Sequence, residues 1–172
     1  MNEALQVLYD RRSIRRYKSE QISREEMDAV IRAGTCAASG NNGQSALIIA
    51  VQDKETRDLL SRLNAAVLGV KSDPFYGAPT VLVVLADAKS PYAVQDGSLV
   101  LGNLMNAAKA IGLGSCWINR AKEVFDSEEG KALLKKWGVE GDWTGVGNCI
   151  LGYPDEDPAM KPRKENYVYY VL

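Results

Sequence analysis

Thr80-Val81-Leu82-Val83-Val84-Leu85-Ala86 is the stretch that decides the fold, an uncharged run of aliphatic and β-branched side chains. A strand with one wet face alternates apolar and polar residues. An unbroken apolar run is a strand covered on both faces. Gly77-Ala78-Pro79 marks the loop before it. Working outward, Ala46 to Gln52 reads as another strand, followed by a helix capped at Asp53 and running to about Leu68. Downstream, Tyr92 to Ile111 is the longest helical pattern, apolar around most of its circumference, and Gly112-Leu113-Gly114 ends it. So apolar a helix is expected to pack partly against a second subunit, with Gly97 and Gly102 allowing close approach, or else to lie buried inside a monomer. Strands follow at Ser115 to Ile118 and Gly145 to Gly152, with a helix over roughly Glu128 to Trp137 between them. Towards the N-terminus, Asn2 to Arg11 is a short amphipathic helix. Ser23-Arg24-Glu25-Glu26 is a capping box that opens a second helix ending at Gly34, and Thr35 to Ser45 is a small, polar loop. Tyr167 to Leu172 reads as a terminal strand able to extend to a neighbour. Helices alternating with strands around a twice-covered strand give a three-layer α+β sandwich.

The 172 residues suffice for one good core, so a single domain over residues 1–172 is expected. Lys plus Arg number 21 against 22 for Asp plus Glu, so no global field draws the chain to nucleic acid or to an anionic membrane. No stretch approaches the roughly 20 apolar residues of a membrane span, and the N-terminus lacks a basic segment before an apolar one; a soluble, cytoplasmic protein is expected. Cys36, Cys116 and Cys149 are far apart, without metal-ligand spacing. Histidine is absent, which removes imidazole acid–base chemistry, His-based triads and His metal sites. An enzyme of this composition borrows its reactive group from a cofactor.

Against that neutral background, cations are concentrated in Arg11-Arg12-Ser13-Ile14-Arg15-Arg16-Tyr17-Lys18 and again in Lys161-Pro162-Arg163-Lys164. Guanidinium forks, a hydroxyl and free N–H groups at a chain reversal suit a phosphate. Either cluster alone also reads as a solvated patch. Ser39-Gly40-Asn41-Asn42-Gly43-Gln44 offers amide donors and acceptors with glycines that admit a flat ring, or is simply a turn. Gly114 to Asn119 can present backbone N–H groups at a strand end, or is a plain buried strand. No Walker or GxGxxG pattern is present. Asp155-Glu156-Asp157 reads as a solvated loop.

Taken in order, Arg11-Arg12-Ser13-Ile14-Arg15-Arg16-Tyr17, Ser39-x-x-Asn42-x-Gln44, Gly77-Ala78-Pro79, Gly112-Leu113-Gly114-Ser115-Cys116-Trp117-Ile118 and Gly152-Tyr153-Pro154 with Lys161-x-Arg163 resemble the nitroreductase family of FMN-dependent oxidoreductases. The resemblance covers almost the whole chain. It implies a three-layer α/β/α sandwich with a mixed, mostly antiparallel central sheet, and a homodimer holding FMN at its interface. Arg11, Arg12, Ser13, Arg15, Lys161 and Arg163 would hold the phosphate. Ser39, Asn42 and Gln44 would come from the partner subunit toward the ring or ribityl chain, Asn64 would meet the pyrimidine edge, and the backbone at Trp117, Ile118 and Asn119 would lie near N5. NADH or NADPH would supply the hydride, and a small electron-poor acceptor such as a nitroaromatic or quinone would receive the electrons by turns at the same site. No side chain is expected to be catalytic, and no metal is expected. The family loop often has proline before its serine and Pro-Trp after its glutamine; here Ala38-Ser39 and Gln44-Ser45-Ala46 stand instead, which bears on acceptor choice. A non-catalytic flavin-binding or sensing protein, a reductive dehalogenase and a flavin-fragmenting enzyme are the alternatives; the last two need a lid, for which Val67 to Tyr76 is short.

Overall fold

The computed structural model describes residues 2–172. Its centre is the strand the sequence marks out. The strands are β1 (Ala46–Val51), β2 (Thr80–Asp87), β3 (Gly114–Ile118) and β4 (Trp143–Gly152), in the order β1-β2-β4-β3. All three strand pairings are antiparallel. The parallel component is a single bridge between Ser13 and Ser115, outside the four strands' ladder. Val81 through Ala86 are fully buried. Val81, Val83 and Leu85 face one core and Leu82 and Val84 the other, as the two-residue period of a strand requires. At about 1.5–3 kcal/mol for each large aliphatic side chain withdrawn from water, this strand anchors both layers.

Helices cover the two faces. On one lie α2 (Arg24–Thr35) and α4 (Ala93–Ala110), contributing Met27, Val30, Val100, Leu101 and Leu104. On the other lie α3 (Lys54–Leu68), α5 (Ala121–Asp126) and α6 (Glu128–Lys136), contributing Leu60, Phe125, Leu133 and Leu134. The three-layer sandwich is therefore present. The capping box forms as read: Ser23 Oγ accepts the Glu26 N–H at 3.1 Å and Glu26 accepts the Ser23 N–H at 2.8 Å. Asp53 likewise caps α3 by accepting the Thr56 N–H.

Three readings change. Tyr167 to Leu172 forms no strand within this chain; residues 155–172 run as irregular chain, and the terminal six are exposed. The segment after β3 contains α5, which begins abruptly at Arg120 with no side-chain cap. Gly97 does not serve approach by a second subunit, since a side chain there would meet Val146 of β4 at 2.5 Å; it lets α4 sit down on its own sheet. Gly102 has open space where a side chain would be.

α1 (Glu3–Asp10) buries none of its residues, leaving Leu5, Leu8 and Tyr9 exposed. On α4, Val94 and Leu99 also face outward.

Candidate functional site

The arginine run is laid across the end of the sheet where β3 begins and β4 finishes. Ile14 N–H donates to Ser115 O at 3.0 Å, Lys18 N–H to Tyr153 O at 2.9 Å, and Asp155 N–H to Arg16 O at 2.9 Å. These bonds hold residues 13–18 extended. A small cavity of about 80 Å³ opens beside them, lined by Arg11, Arg12, Lys109, Gly114 and Ser115 together with the carboxylates of Asp10, Glu156 and Asp157. The acidic stretch is thus not simply solvated: Glu156 accepts the Arg15 N–H, and Asp155 pairs with Arg16 at 3.4 Å.

The cations differ in what they are free to do. Arg12 donates through one terminal nitrogen to Tyr9 O at 2.6 Å and Arg11 O at 2.8 Å, closing the C-terminus of α1, while its Nε is buried with no hydrogen-bond partner. Buried donors are normally satisfied, so an orphan of this kind marks a place where an acceptor belongs. The Arg11 side chain, the Ser13 hydroxyl and the Arg15 guanidinium have no hydrogen-bond partner among the described residues, and the Arg15 guanidinium lies 5.9 Å from the Tyr76 ring centre. Lys161 and Arg163 are exposed on the irregular C-terminal chain, and among the described residues no hydrogen bond or ion pair brings them to this cavity.

At the opposite end of β3 the backbone turns. Asn64, 1% exposed on α3, donates to Asn119 O at 2.8 Å and accepts from Arg120 Nε at 2.9 Å. Asn148 on β4 donates to Ile118 O at 3.2 Å. With both carbonyls turned inward onto amides, the Asn119 and Arg120 N–H groups have no acceptor among the described residues. Asn64 thus braces this turn from α3. Trp117 is half-buried against Gly147 and Leu101 on the α2–α4 side, and its Nε1 also lacks an acceptor.

The loop of Ser39, Asn42 and Gln44 is a compact, strained structure containing a 3-10 turn at Gly40–Asn42. Asn41, Asn42 and Gln44 all adopt left-handed backbone, with φ of 52°, 53° and 48°. Such non-glycine conformations cost on the order of 1–3 kcal/mol each and persist only where neighbours enforce them. The enforcer is Asp96, a residue the sequence reading passed over. It is 3% exposed on α4 and accepts from Gly40 N–H at 2.9 Å and Ser45 Oγ at 2.7 Å. Ser39 Oγ accepts the Gln44 N–H at 3.0 Å, and Tyr92 packs so closely on Gly40 that no side chain fits there. A lone carboxylate in the apolar run of α4 was the available signal. A cavity of about 320 Å³, lined by Ile31, Ser39, Gln44, Ile48, Asp96 and Val100, lies against this loop.

Loop and strand end do not converge within one chain. The loop precedes β1, and β1 and β3 are the two outer strands of the sheet with β2 and β4 between them. At about 4.8 Å per strand step, some 14 Å separates the edges.

The Nitroreductase family model matches residues 8–72 and 65–153. The chain belongs to the nitroreductase family. A relative from Archaeoglobus fulgidus, named as an NADH dehydrogenase/NAD(P)H nitroreductase, is 34% identical over 91% of this chain and 88% of its own length. The FMN reductase [NAD(P)H] of Bacillus subtilis is 30% identical over 95% of this chain and 70% of its own. Among solved structures, a nitroreductase with bound FMN from Bacteroides fragilis superposes with a TM-score of 0.89 at 28% identity, covering all of both chains. The nitroreductase fold is thus matched from end to end. Among the described residues no helix is long and apolar enough to cross a membrane, and no group of three or more acidic, cysteine or histidine side chains is placed to hold a metal ion.

Proposed function

We propose that this nitroreductase-family chain is an FMN-dependent oxidoreductase, acting as a homodimer, which takes reducing equivalents from NADH or NADPH and passes them to an electron-poor small molecule such as a quinone or nitroaromatic. The observation that carries the reading is the split of unpaired donors along β3: guanidinium groups and the orphaned Arg12 Nε at its start, and free backbone N–H groups of Asn119 and Arg120 at its end. A phosphate-bearing flat cofactor needs that division between charge and directional amides. Bound FMN would supply hydride acceptance and onward electron transfer, which protein side chains do not provide.

The chain's own part is to bind and orient. Arg11, Ser13 and Arg15 would grip the phosphate, with Lys161 and Arg163 closing from the C-terminal chain. Asn64 and Asn148 hold the turn at Ile118–Asn119 so that its amides face the ring. Ser39, Asn42 and Gln44, held rigid by Asp96, would reach the site of a second copy, because within one chain they sit at the far edge of the sheet. The exposed apolar residues of α1 and α4 and the aromatic C-terminal chain would be covered in the same assembly. The decisive experiment is whether FMN-loaded protein is reduced by NAD(P)H and reoxidised by a quinone, with parallel double-reciprocal lines as the two substrates are varied.

A further inference from the structure

The turn before β2 holds one side chain that neither the sequence motifs nor the core accounts for. Tyr76 has φ of 53°, a left-handed backbone that glycine takes freely and that is an outlier for a bulky residue. Its neighbours impose that conformation. Asp73 accepts the Phe75 N–H at 2.8 Å and the Gly77 N–H at 2.7 Å through its carboxylate, and the Tyr76 N–H at 3.2 Å through its carbonyl. Phe75 and Ala78 anchor the turn in the core on either side. The Tyr76 ring stays outside, 44% exposed, and its hydroxyl bonds to nothing among the described residues. What the ring meets is the Arg15 guanidinium, 5.9 Å from the ring centre. Nearby in the same basic run, Arg12 is tied to carbonyls and Arg16 to Asp155, whereas the Arg15 guanidinium has neither a hydrogen bond nor an ion pair among the described residues. Backbone strain enforced in order to hold an exposed ring is an observation from which function can be inferred.

We propose that Tyr76 is a positioning residue of the cofactor site: its ring is the platform that holds the Arg15 guanidinium, so that a fixed cation rather than a freely turning one meets the phosphate of bound FMN. The inference rests on the FMN reading. An aromatic face attracts a guanidinium while leaving every N–H in its plane free to donate. A carboxylate in the same place would occupy the fork and offset its charge, as Asp155 does for Arg16. An unheld arginine loses rotamer freedom when it closes on an anion, and one already laid on a ring loses less. Asp73 acts one step further back, by fixing the turn that carries the ring.

The test is a fluorescence titration of the flavin-free, full-length chain with FMN and with riboflavin, which lacks the phosphate. It compares wild type, Tyr76→Gly, Tyr76→Leu, Tyr76→Phe and Arg15→Ala, and the Gly and Leu changes combined with Arg15→Ala. Loss of the ring in the Gly and Leu variants is expected to weaken FMN binding about two- to fivefold, the size of an exposed cation–ring contact. Tyr76→Phe keeps the ring face and should retain the wild-type affinity. Riboflavin should bind the Tyr76 variants and wild type equally, and once Arg15 is alanine, removing the ring should change FMN affinity no further. Glycine suits the left-handed backbone and leucine keeps a side chain there, so one variant stays readable if the other does not fold. Unchanged FMN affinity without the ring, an equal loss for riboflavin, or a loss that persists in the Arg15→Ala background would overturn the platform role while leaving FMN binding intact. A wild type that binds no FMN would overturn both this inference and the reading beneath it.

Discussion

Arg11 is the side chain whose role is most simply tested. It lines the cavity at the start of β3 without an internal partner, so Arg11→Ala should fold normally and lose only a charge-assisted contact, worth about 1.5–3 kcal/mol. FMN affinity is expected to fall tenfold or more in a fluorescence titration, and Arg163→Ala should do the same if the C-terminal chain closes on the phosphate; unchanged affinity in both would remove the phosphate assignment. Asp73 is a residue of the opposite kind, structural and pH-sensitive. Burial pushes its carboxyl up, but donors from Ser61, Arg57, Gly77 and Phe75 outweigh burial and hold it below its ordinary value of 3.8. Because the folded-state value is the lower one, the stabilisation is complete above that ordinary value and is lost as pH falls through the folded one. Wild type should therefore be more stable than Asp73→Asn at neutral pH, and the gap between their melting temperatures should narrow below about pH 4. A gap that stays constant into acid would show that the Arg57–Asp73–Ser61 network contributes no linked protonation.

Among the elements, α4 divides cleanly into two faces. Ala93, Gly97, Val100, Leu101, Leu104 and Ala108 pack inward, while Val94 and Leu99 face out and Gly102 opens onto free space. Gly102→Glu therefore costs the isolated chain little beyond helix propensity, yet it puts a charge where a second copy would pack. It should give monomers with weakened FMN retention by light scattering and absorbance; an intact, yellow dimer would move the subunit interface elsewhere. β2, the α2 cap and the extent of α4 were legible in the sequence because each has a periodic or capping signal. α5 was not, since a six-residue helix without a capping side chain offers neither. The strand expected at Tyr167–Leu172 has the right composition, but a strand is a property of a pair, and these residues pair with no strand among the described residues. Asp96 escaped notice for a related reason: its partners, Gly40 and Ser45, are brought to it only by the fold.

At the scale of the whole molecule, one sheet with helices on both faces carries donors along β3 and a strained amide loop at the opposite edge, so the proposed site would draw on two chains. The candidate phosphate and strand-end residues were readable because family motifs lie in short contiguous segments. Which of them are free and which are committed was not, because that depends on contacts such as Arg12 with the carbonyls of α1 and Asn64 with the turn after β3. The proposed passage of electrons through FMN held by these residues is tested most directly by the visible spectrum of the FMN-reconstituted protein under anaerobic conditions, followed as NADH or NADPH and then a quinone are added. Flavin bands that co-elute with the protein, bleach on addition of the nicotinamide and return with the quinone are predicted. A protein that retains no flavin, or whose bound flavin is left unbleached by both nicotinamides, would contradict it.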